Sequence, residues 1–271
     1  MLNHSIAIGP LGFSIGQVLL MLSFAIALAV GAWAGRGSRT GVSDTLFTLL
    51  LIALLGARLV FVARYWSSYD SLAGVLDIRD RGFDPFGALG AGALYIAWRL
   101  WQAPAQRRAL AAALFGGALS WSLLAGPLTL MDATSRPLPS VELVTLEGSD
   151  TSLPALANAE GRPLVVNLWA SWCPPCRREM PVFEEAQHAH DDITFVFVNQ
   201  GESLAQVQQF LEEEALQLDN VLLDAALDLG EVTGAVAMPT TLYYDATGQL
   251  VDTHFGELSR ATLQRGLQRL R

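Results

Sequence analysis

The only two cysteines in the 271-residue chain are Cys173 and Cys176, and two prolines, Pro174 and Pro175, separate them. An apolar run at residues 164–169 precedes them and predicts a buried strand, and helical spacing of apolar residues follows them. A strand followed by this spacing places the first sulfur at a helix N-terminus, where backbone amides favour a thiolate. We therefore predict an exposed, reactive Cys173 and a resolving Cys176 one turn inside the helix.

Two other uses of a cysteine pair fit this sequence less well. A structural disulfide between Cys173 and Cys176 would close a very short loop, and stabilisation through loop entropy grows with loop length. A metal site needs further ligands, and no recognisable ligand pattern joins the pair to the four histidines of the chain, His4, His188, His190 and His254. We therefore expect redox chemistry by the two thiols alone, with no metal and no cofactor.

The segment at residues 165–181 resembles the active-site segment of the TlpA and ResA group, membrane-anchored thiol:disulfide oxidoreductases of the thioredoxin family. Met238-Pro239-Thr240 resembles the cis-proline loop that binds substrate in that family. The resemblance implies an α/β thioredoxin-like domain with a mixed central sheet flanked by helices. It also implies that Cys173 and Cys176 are catalytic, form the redox-active disulfide, and have Trp172, Pro174 and Pro175 in their immediate environment.

Proton transfer and the direction of electron flow depend on neighbours of the cysteines. Thioredoxin has a buried aspartate at the position of Asn167, and an amide cannot act as that base. Glu179, three residues after Cys176, is a candidate for this role, with an ordinary helix glutamate as the alternative. The two prolines remove two amides that could stabilise a thiolate, which favours a reducing couple over an oxidising one.

Charge is distributed unevenly along the chain. Residues 1–136 hold ten arginines and six acidic residues, whereas residues 137–271 hold seven arginines and twenty acidic residues, and there is no lysine. The acidic second half argues against nucleic acid as a partner.

The first half is rich in uncharged apolar segments long enough to cross a bilayer. We predict a membrane domain at residues 1–134, a linker at 135–140 and a thioredoxin-like domain at 141–271. The four predicted transmembrane helices are at about 13–34, 45–63, 86–101 and 110–131, or three if the third segment is re-entrant or interfacial.

Arginines in the loops indicate the orientation. Arg36 and Arg39 lie in the first loop and Arg107 and Arg108 in the third, whereas four aspartates dilute the arginines of the second loop. The positive-inside rule places the first and third loops in the cytoplasm and both termini outside. With the resemblance, this predicts a multi-pass protein of a bacterial inner membrane whose thioredoxin-like domain is periplasmic.

Residues 52–61 and the glycine-rich residues 86–92 resemble fragments of prolipoprotein diacylglyceryl transferase. The resemblance implies a degenerate, non-catalytic membrane module in contact with membrane lipid. Arg58 is a functional candidate because arginines inside membrane segments are costly, and a helix-packing or lipid-headgroup contact is the alternative.

The function that these features predict is reduction of protein disulfides in the periplasm by dithiol exchange. The resemblance implies a disulfide-bearing periplasmic protein as substrate, with a DsbG- or DsbC-like isomerase as one candidate, and a DsbD-type membrane electron donor. A disulfide-forming oxidase and a copper-binding module for metal-site assembly, using the same cysteines, are the alternatives.

Patterning also predicts the elements of the second half. We expect extra N-terminal strands at 141–146 and around 153–156, a strand at 193–198, and a helix opened by a capping box at Ser203. A short strand at 221–223, a hairpin at 241–255 and a final helix capped by Ser259 complete the predicted domain.

Overall fold

A computed structural model describes the backbone of residues 5–8, 11–36, 41–132, 136–235 and 237–271. The chain divides into two compact units, one built from the helices before residue 133 and the other containing a mixed sheet after residue 135. A short antiparallel hairpin of β1 (Ser5–Ile8) and β2 (Leu11–Ser14) precedes the helices.

The first unit is helical. Its elements are α1 (Ile15–Ala34), α2 (Val42–Arg64), α3 (Leu72–Leu76), α4 (Pro85–Gln102) and α5 (Arg107–Asp132). Among the described residues, three helical segments are long and apolar enough to cross a membrane: Ile15–Ala34, Val42–Arg64 and Pro104–Thr129. Helix α4 covers the third predicted segment without meeting that criterion, so a fourth crossing stays a prediction.

The glycines of α2 and α4 have a packing role. A Cβ added at Gly56 would overlap the Cβ of Ala91, and one added at Gly87 would lie 2.5 Å from the carbonyl oxygen of Gly56. Only residues without a side chain let two helix backbones approach this closely. Within the glycine-rich run at 86–92, Gly87 therefore has a packing role, whereas a Cβ added at Gly90 would meet nothing within 4 Å.

The second unit is a seven-stranded sheet with strand order β4-β3-β7-β6-β5-β8-β9. Strands β5, β6 and β7 run parallel, and β8 lies antiparallel to β5 at the centre. The strands are β3 (Leu143–Thr145), β4 (Asp150–Thr151), β5 (Leu164–Trp169), β6 (Thr194–Gln200), β7 (Val221–Asp224), β8 (Thr240–Tyr244) and β9 (Leu250–Phe255).

Helices cover both faces of this sheet. They are α6 (Leu153–Glu160), α7 (Pro174–Ala189), α8 (Leu204–Glu213), α9 (Asp228–Thr233) and α10 (Arg260–Gln268). Alternate residues of β5 enter two apolar clusters, one containing Val165 and Trp169 and the other containing Val166 and Leu168. This two-sided burial confirms the predicted mixed sheet flanked by helices.

Most predicted elements are present, and one is wrong. A capping box opens α8 at Ser203 and Ser259 caps α10, as predicted, and the cap at Ser259 is also a capping box. Residues 153–156, predicted as strand, begin α6 instead, because the Ser152 side chain accepts a hydrogen bond from the Ala155 amide and Pro154 lies in the first turn. A capped first turn with an early proline favours a helix.

Part of the predicted linker pairs with the sheet. The Leu138 amide donates to the Gly248 carbonyl at 3.0 Å, and the Leu250 amide donates to the Arg136 carbonyl at 2.9 Å. Pro137 forms an isolated antiparallel bridge with Gln249. Residues 136–138 are thus bound to the β8–β9 hairpin.

Candidate active site

Strand β5 and helix α7 position the two cysteines. All six residues of β5 are buried, and the chain leaves the strand at Ala170. Cys173 is the N-cap of α7, in extended conformation, and Pro174 and Pro175 occupy the first two helical positions. The first turn is closed by the Arg177 amide, which donates to the Cys173 carbonyl at 3.1 Å. The strand–turn–helix arrangement predicted for the pair is therefore present.

Cys173 and Cys176 are joined in a disulfide. Cys173 is only 4% exposed and Cys176 is 0% exposed. The prediction of an exposed Cys173 is wrong for this oxidised state, because the disulfide packs into the apolar cluster that contains Trp169 and Ala170. Trp172, by contrast, is 66% exposed beside it. Of the two cysteines, Cys173 retains the greater access to solvent.

The loop before β8 carries the second predicted feature of the site. The Met238–Pro239 peptide bond is cis. Strand register places Thr240 opposite Leu168 and Thr241 opposite Asn167, so this loop lies at the end of β5 from which the cysteines follow. Met238 packs against the cluster that contains both cysteines. The structure therefore brings the predicted substrate-binding loop to the disulfide.

Glu179 is completely buried on α7, one turn beyond Cys176. Its Oε1 accepts a hydrogen bond from Asn167 Nδ2 at 2.8 Å, and its Oε2 accepts one from the Leu258 amide at 2.8 Å. Burial raises the pKa of this carboxyl from 4.5 to about 8, against the opposing effect of these hydrogen bonds. The protonated acid is therefore the main form of Glu179 at neutral pH, and the ionised form is also accessible near this pH.

Asn167 links Glu179 to the proline loop. Its Nδ2 also donates to Thr241 Oγ1 at 3.1 Å, whereas its Oδ1 has no hydrogen-bond partner among the described residues. Which amide atom is oxygen is assigned from the hydrogen-bond network, and a rotated amide would accept a hydrogen bond from protonated Glu179. Either protonation state of Glu179 thus has a partner in Asn167.

Sequence reasoning missed Glu202, a buried carboxylate at the end of β6. Its Oε2 accepts hydrogen bonds from the Ser171 amide and from Asn199 Nδ2, both at 2.7 Å, and its Oε1 accepts one from Ser171 Oγ at 2.5 Å. These bonds hold the turn that leads into Cys173. The only signal in the sequence was its position shortly after the strand predicted at 193–198, which the structure extends to Gln200.

Arg58 belongs to the helical unit, whereas the disulfide belongs to the unit that contains the sheet. Its Nη1 donates to Asp80 Oδ1 at 3.0 Å and to the Gly82 carbonyl at 2.9 Å. Its Nε and Nη2 donate to the Val75 carbonyl at 3.1 and 3.0 Å, at the end of α3. The guanidinium thus binds residues of the connection between α2 and α4, and its N–H groups donate hydrogen bonds to acceptors of the protein itself.

The described residues contain no group of three or more histidine, cysteine, aspartate or glutamate side chains placed to hold a metal ion. Of the four histidines of the chain, His254 is buried in β9, and His4 lies outside the described residues. In the described part of the chain, no such group of three ligands includes Cys173 or Cys176.

Comparison with known proteins agrees with this geometry. Residues 133–267 match the Redoxin family. The chain is 30% identical over 133 residues to the thioredoxin-like protein YneN of Bacillus subtilis, covering 48% of this chain and 75% of that protein. It is 28% identical over 133 residues to sporulation thiol-disulfide oxidoreductase A of Bacillus subtilis, covering 47% of this chain and 78% of that protein.

A third relative is the thiol-disulfide oxidoreductase ResA of Halalkalibacterium halodurans. It is 29% identical over 124 residues, which cover 45% of this chain and 68% of that protein. All three similarities span roughly half of the chain or less.

Proposed function

We infer the function of this chain from its family. The C-terminal half belongs to the Redoxin family of thioredoxin-like proteins, and the chain is therefore a thiol-disulfide oxidoreductase. We propose that it reduces disulfides of other proteins, and that Cys173 and Cys176 carry the exchange. The observation that carries the proposal is the Cys173–Cys176 disulfide at the start of α7, packed in the cluster against which Met238 also lies.

The proposed reaction moves two electrons and two protons to the substrate. The Cys173 thiolate attacks one sulfur of a substrate disulfide, forming a mixed disulfide and releasing the first substrate thiolate, which takes up a proton. Cys176 then loses its proton and attacks the Cys173 sulfur. This step forms the Cys173–Cys176 disulfide and releases the second substrate thiolate, which is protonated in turn. The domain is left in the oxidised state seen in the structure.

The proline pair supports the proposed direction of electron flow. Pro174 and Pro175 occupy the first two helical positions, so two amides that could stabilise a Cys173 thiolate are absent there. A less stabilised thiolate gives a less stabilised reduced form and therefore a more reducing couple. The prolines thus favour a reductant over the alternative, a disulfide-forming oxidase.

Glu179 supplies the proton exchange that Cys176 requires. When the oxidised domain is re-reduced, Cys176 leaves as a thiolate, and protonated Glu179 can donate to it. When Cys176 attacks, the ionised carboxylate accepts the proton. The pKa of about 8 and the location one turn from Cys176 support this assignment.

We place the protein in a bacterial inner membrane with the redox half in the periplasm. Three apolar helical segments support membrane insertion, and the arginines of the first and third loops support the orientation. Since the chain has no cysteines besides the pair, electrons for re-reduction must come from another protein, for which we propose a DsbD-type donor. A disulfide-bearing periplasmic protein, such as a DsbG- or DsbC-like isomerase, is the proposed substrate.

The test is the reduction potential of the full chain in detergent micelles, together with capture of substrate by Cys176→Ser. A potential at or below about −270 mV supports a reductant, whereas one near −120 mV would make the protein an oxidase. Cys176→Ser should accumulate a mixed disulfide through Cys173, and Cys173→Ser should form none. Equal trapping by both variants would contradict the assigned roles.

A further inference from the structure

Three connections leave the sheet at the same edge. Strands β5, β6 and β7 are parallel neighbours, so the connections that follow them, which contain Trp172, Gly201 and Leu227, begin at the same carboxyl edge of the sheet. The Leu227 side chain lies over Gly201, where an added Cβ would approach its Cδ2 to 3.2 Å. The neighbouring Glu202 holds Ser171, the residue before Trp172. We call Trp172, Gly201 and Leu227 the edge strip.

Leu227 has an unusual backbone conformation. Its φ is 65°, in the left-handed region that costs a leucine energy and that glycine or asparagine adopts more easily. Its side chain is nevertheless 48% exposed, so burial of that side chain does not offset the cost. Strain that packing does not explain points to a function for the side chain.

Hydrogen bonds to the buried side chain of Asp224 hold the turn that contains Leu227. Buried Asp224 accepts hydrogen bonds from the Asp228 amide at 3.0 Å and from the Leu229 amide at 2.9 Å, and Gln200 Nε2 donates to it at 3.0 Å. These bonds hold the turn in one conformation. Leu227 is therefore held in place before a partner binds, and binding does not carry the entropy cost of ordering this turn.

Charge next to Leu227 indicates what the strip accepts. Asp228 and Glu231 are exposed on the first turn of α9, beside the exposed Val232. The half of the chain around them carries twenty acidic residues and seven arginines. A basic partner segment is favoured here, whereas an anionic lipid surface or a second copy of this acidic domain is repelled.

We propose that the edge strip is a docking site for an extended segment of the substrate protein that carries an apolar side chain next to a basic one. The apolar side chain packs on Leu227 and Trp172, and the basic one faces Asp228 and Glu231. Leu227 is then a specificity-determining residue, which selects substrates by the residues that flank the substrate's own cysteines. This inference rests on the proposed disulfide reductase function.

The test compares three disulfides as oxidants of the reduced full chain in micelles. They are a cystine peptide with leucine and arginine beside the cysteine, the same peptide with serine and glutamate there, and glutathione disulfide. The wild type should prefer the first peptide over the second. Leu227→Asn, which tolerates a positive φ, should lower the rate with the first peptide about fivefold relative to the rate with glutathione disulfide.

Val251→Thr is the matched control, since Val251 is an exposed apolar residue on β9 at the far end of the sheet order. It should leave the ratio of the two rates unchanged. No preference for the first peptide in the wild type, or an equal loss with all three disulfides in Leu227→Asn, would overturn the inference. An effect of Leu227→Asn on self-association alone would assign the strip to a second copy. Failure of the wild type to reduce any of the three disulfides would instead remove the proposed function.

Discussion

The two halves of the chain bury charge in different ways. In the helical half, Arg58 lies 3.0 Å from the buried carboxylate of Asp80 and gives its other donors to backbone carbonyls. In the sheet half, the oxygens of Glu179 accept hydrogen bonds from neutral N–H groups of Asn167 and Leu258. A buried ion pair keeps both groups charged, whereas neutral donors leave the carboxyl with a high affinity for its proton. The first arrangement holds the connection between α2 and α4, and the second leaves Glu179 with the raised pKa on which its proposed role in proton exchange rests.

Arg58→Gln gives the largest effect expected from this comparison. It leaves Asp80 buried without a cation and several carbonyls without a donor, and breaking a buried pair in this way costs about 3–5 kcal/mol. Limited proteolysis and hydrogen exchange of residues 65–84 in the full chain should show loss of protection. The reduction of a small disulfide by the sheet half should not change.

Arg79→Gln is the matched control, because Arg79 forms an exposed pair with Asp77. Its cost should be about 0–1 kcal/mol. Unchanged protection of residues 65–84 in Arg58→Gln would show that the arginine does not fasten this loop.

Glu179→Gln tests the buried carboxyl of the sheet half, whose hydrogen-bond partners are neutral N–H groups. Because the pKa of Glu179 is raised from 4.5 to about 8, the folded state binds its proton more tightly than the unfolded state. The stability that this proton provides is complete below pH 4.5 and is lost as the pH rises to about 8. The loss is on the order of 4 kcal/mol and should disappear in the glutamine variant, which is always neutral.

Urea titrations of the oxidised full chain on either side of this pH window measure the effect. Proteolysis within residues 164–189 reports unfolding of the sheet half. Glu185→Gln is the control, since Glu185 is exposed on the same helix and pairs with Arg260. If the variant and the wild type share the same pH dependence, Glu179 is not the protonated group.

Glu202→Gln should have a smaller effect on both stability and rate. Glutamine has one acceptor oxygen where glutamate has two, so it cannot accept all three hydrogen bonds from Ser171 and Asn199, and the loss of one bond costs about 0.5–1.5 kcal/mol. Since Ser171 leads into Cys173, exchange with glutathione disulfide should also become slower. Glu213→Gln, at an exposed site on α8, should change neither quantity, and equal behaviour of the two variants would exclude a role for Glu202 in holding the turn.

Sequence patterns predicted the local elements of the sheet half well, because strand and helix periodicity are local properties. The capping residues Ser203 and Ser259 are examples, since each needs only its own helix. Residues 153–156 were mispredicted because an apolar run of four fits a strand or a helix, and the cap at Ser152 decided the outcome.

The parts of the site that depend on distant contacts could not be predicted. Glu202 and Ser171 are 31 residues apart and meet only because β5 and β6 are neighbours. The burial of Cys173 likewise follows from packing against residues of several elements. Arg58 could be singled out by its location in an apolar helix, but its binding to the residues before α4 depends on how that connection folds back.

Arg178→Ala, at the surface of the sheet half, should give the smallest effect. Arg178 and Glu257 form a two-pronged pair at 2.6–3.1 Å, but their side chains are 44% and 17% exposed. Solvent screens such a pair, and the Leu258 amide is already held by Glu179, so the cost should be about 0–1 kcal/mol. Urea midpoints at low and high salt measure it, and the small difference between wild type and variant should shrink with salt. A larger, salt-independent loss would mean that the residues after β9 depend on this ion pair, and that charge pairing holds the sheet half together as it does the helical half.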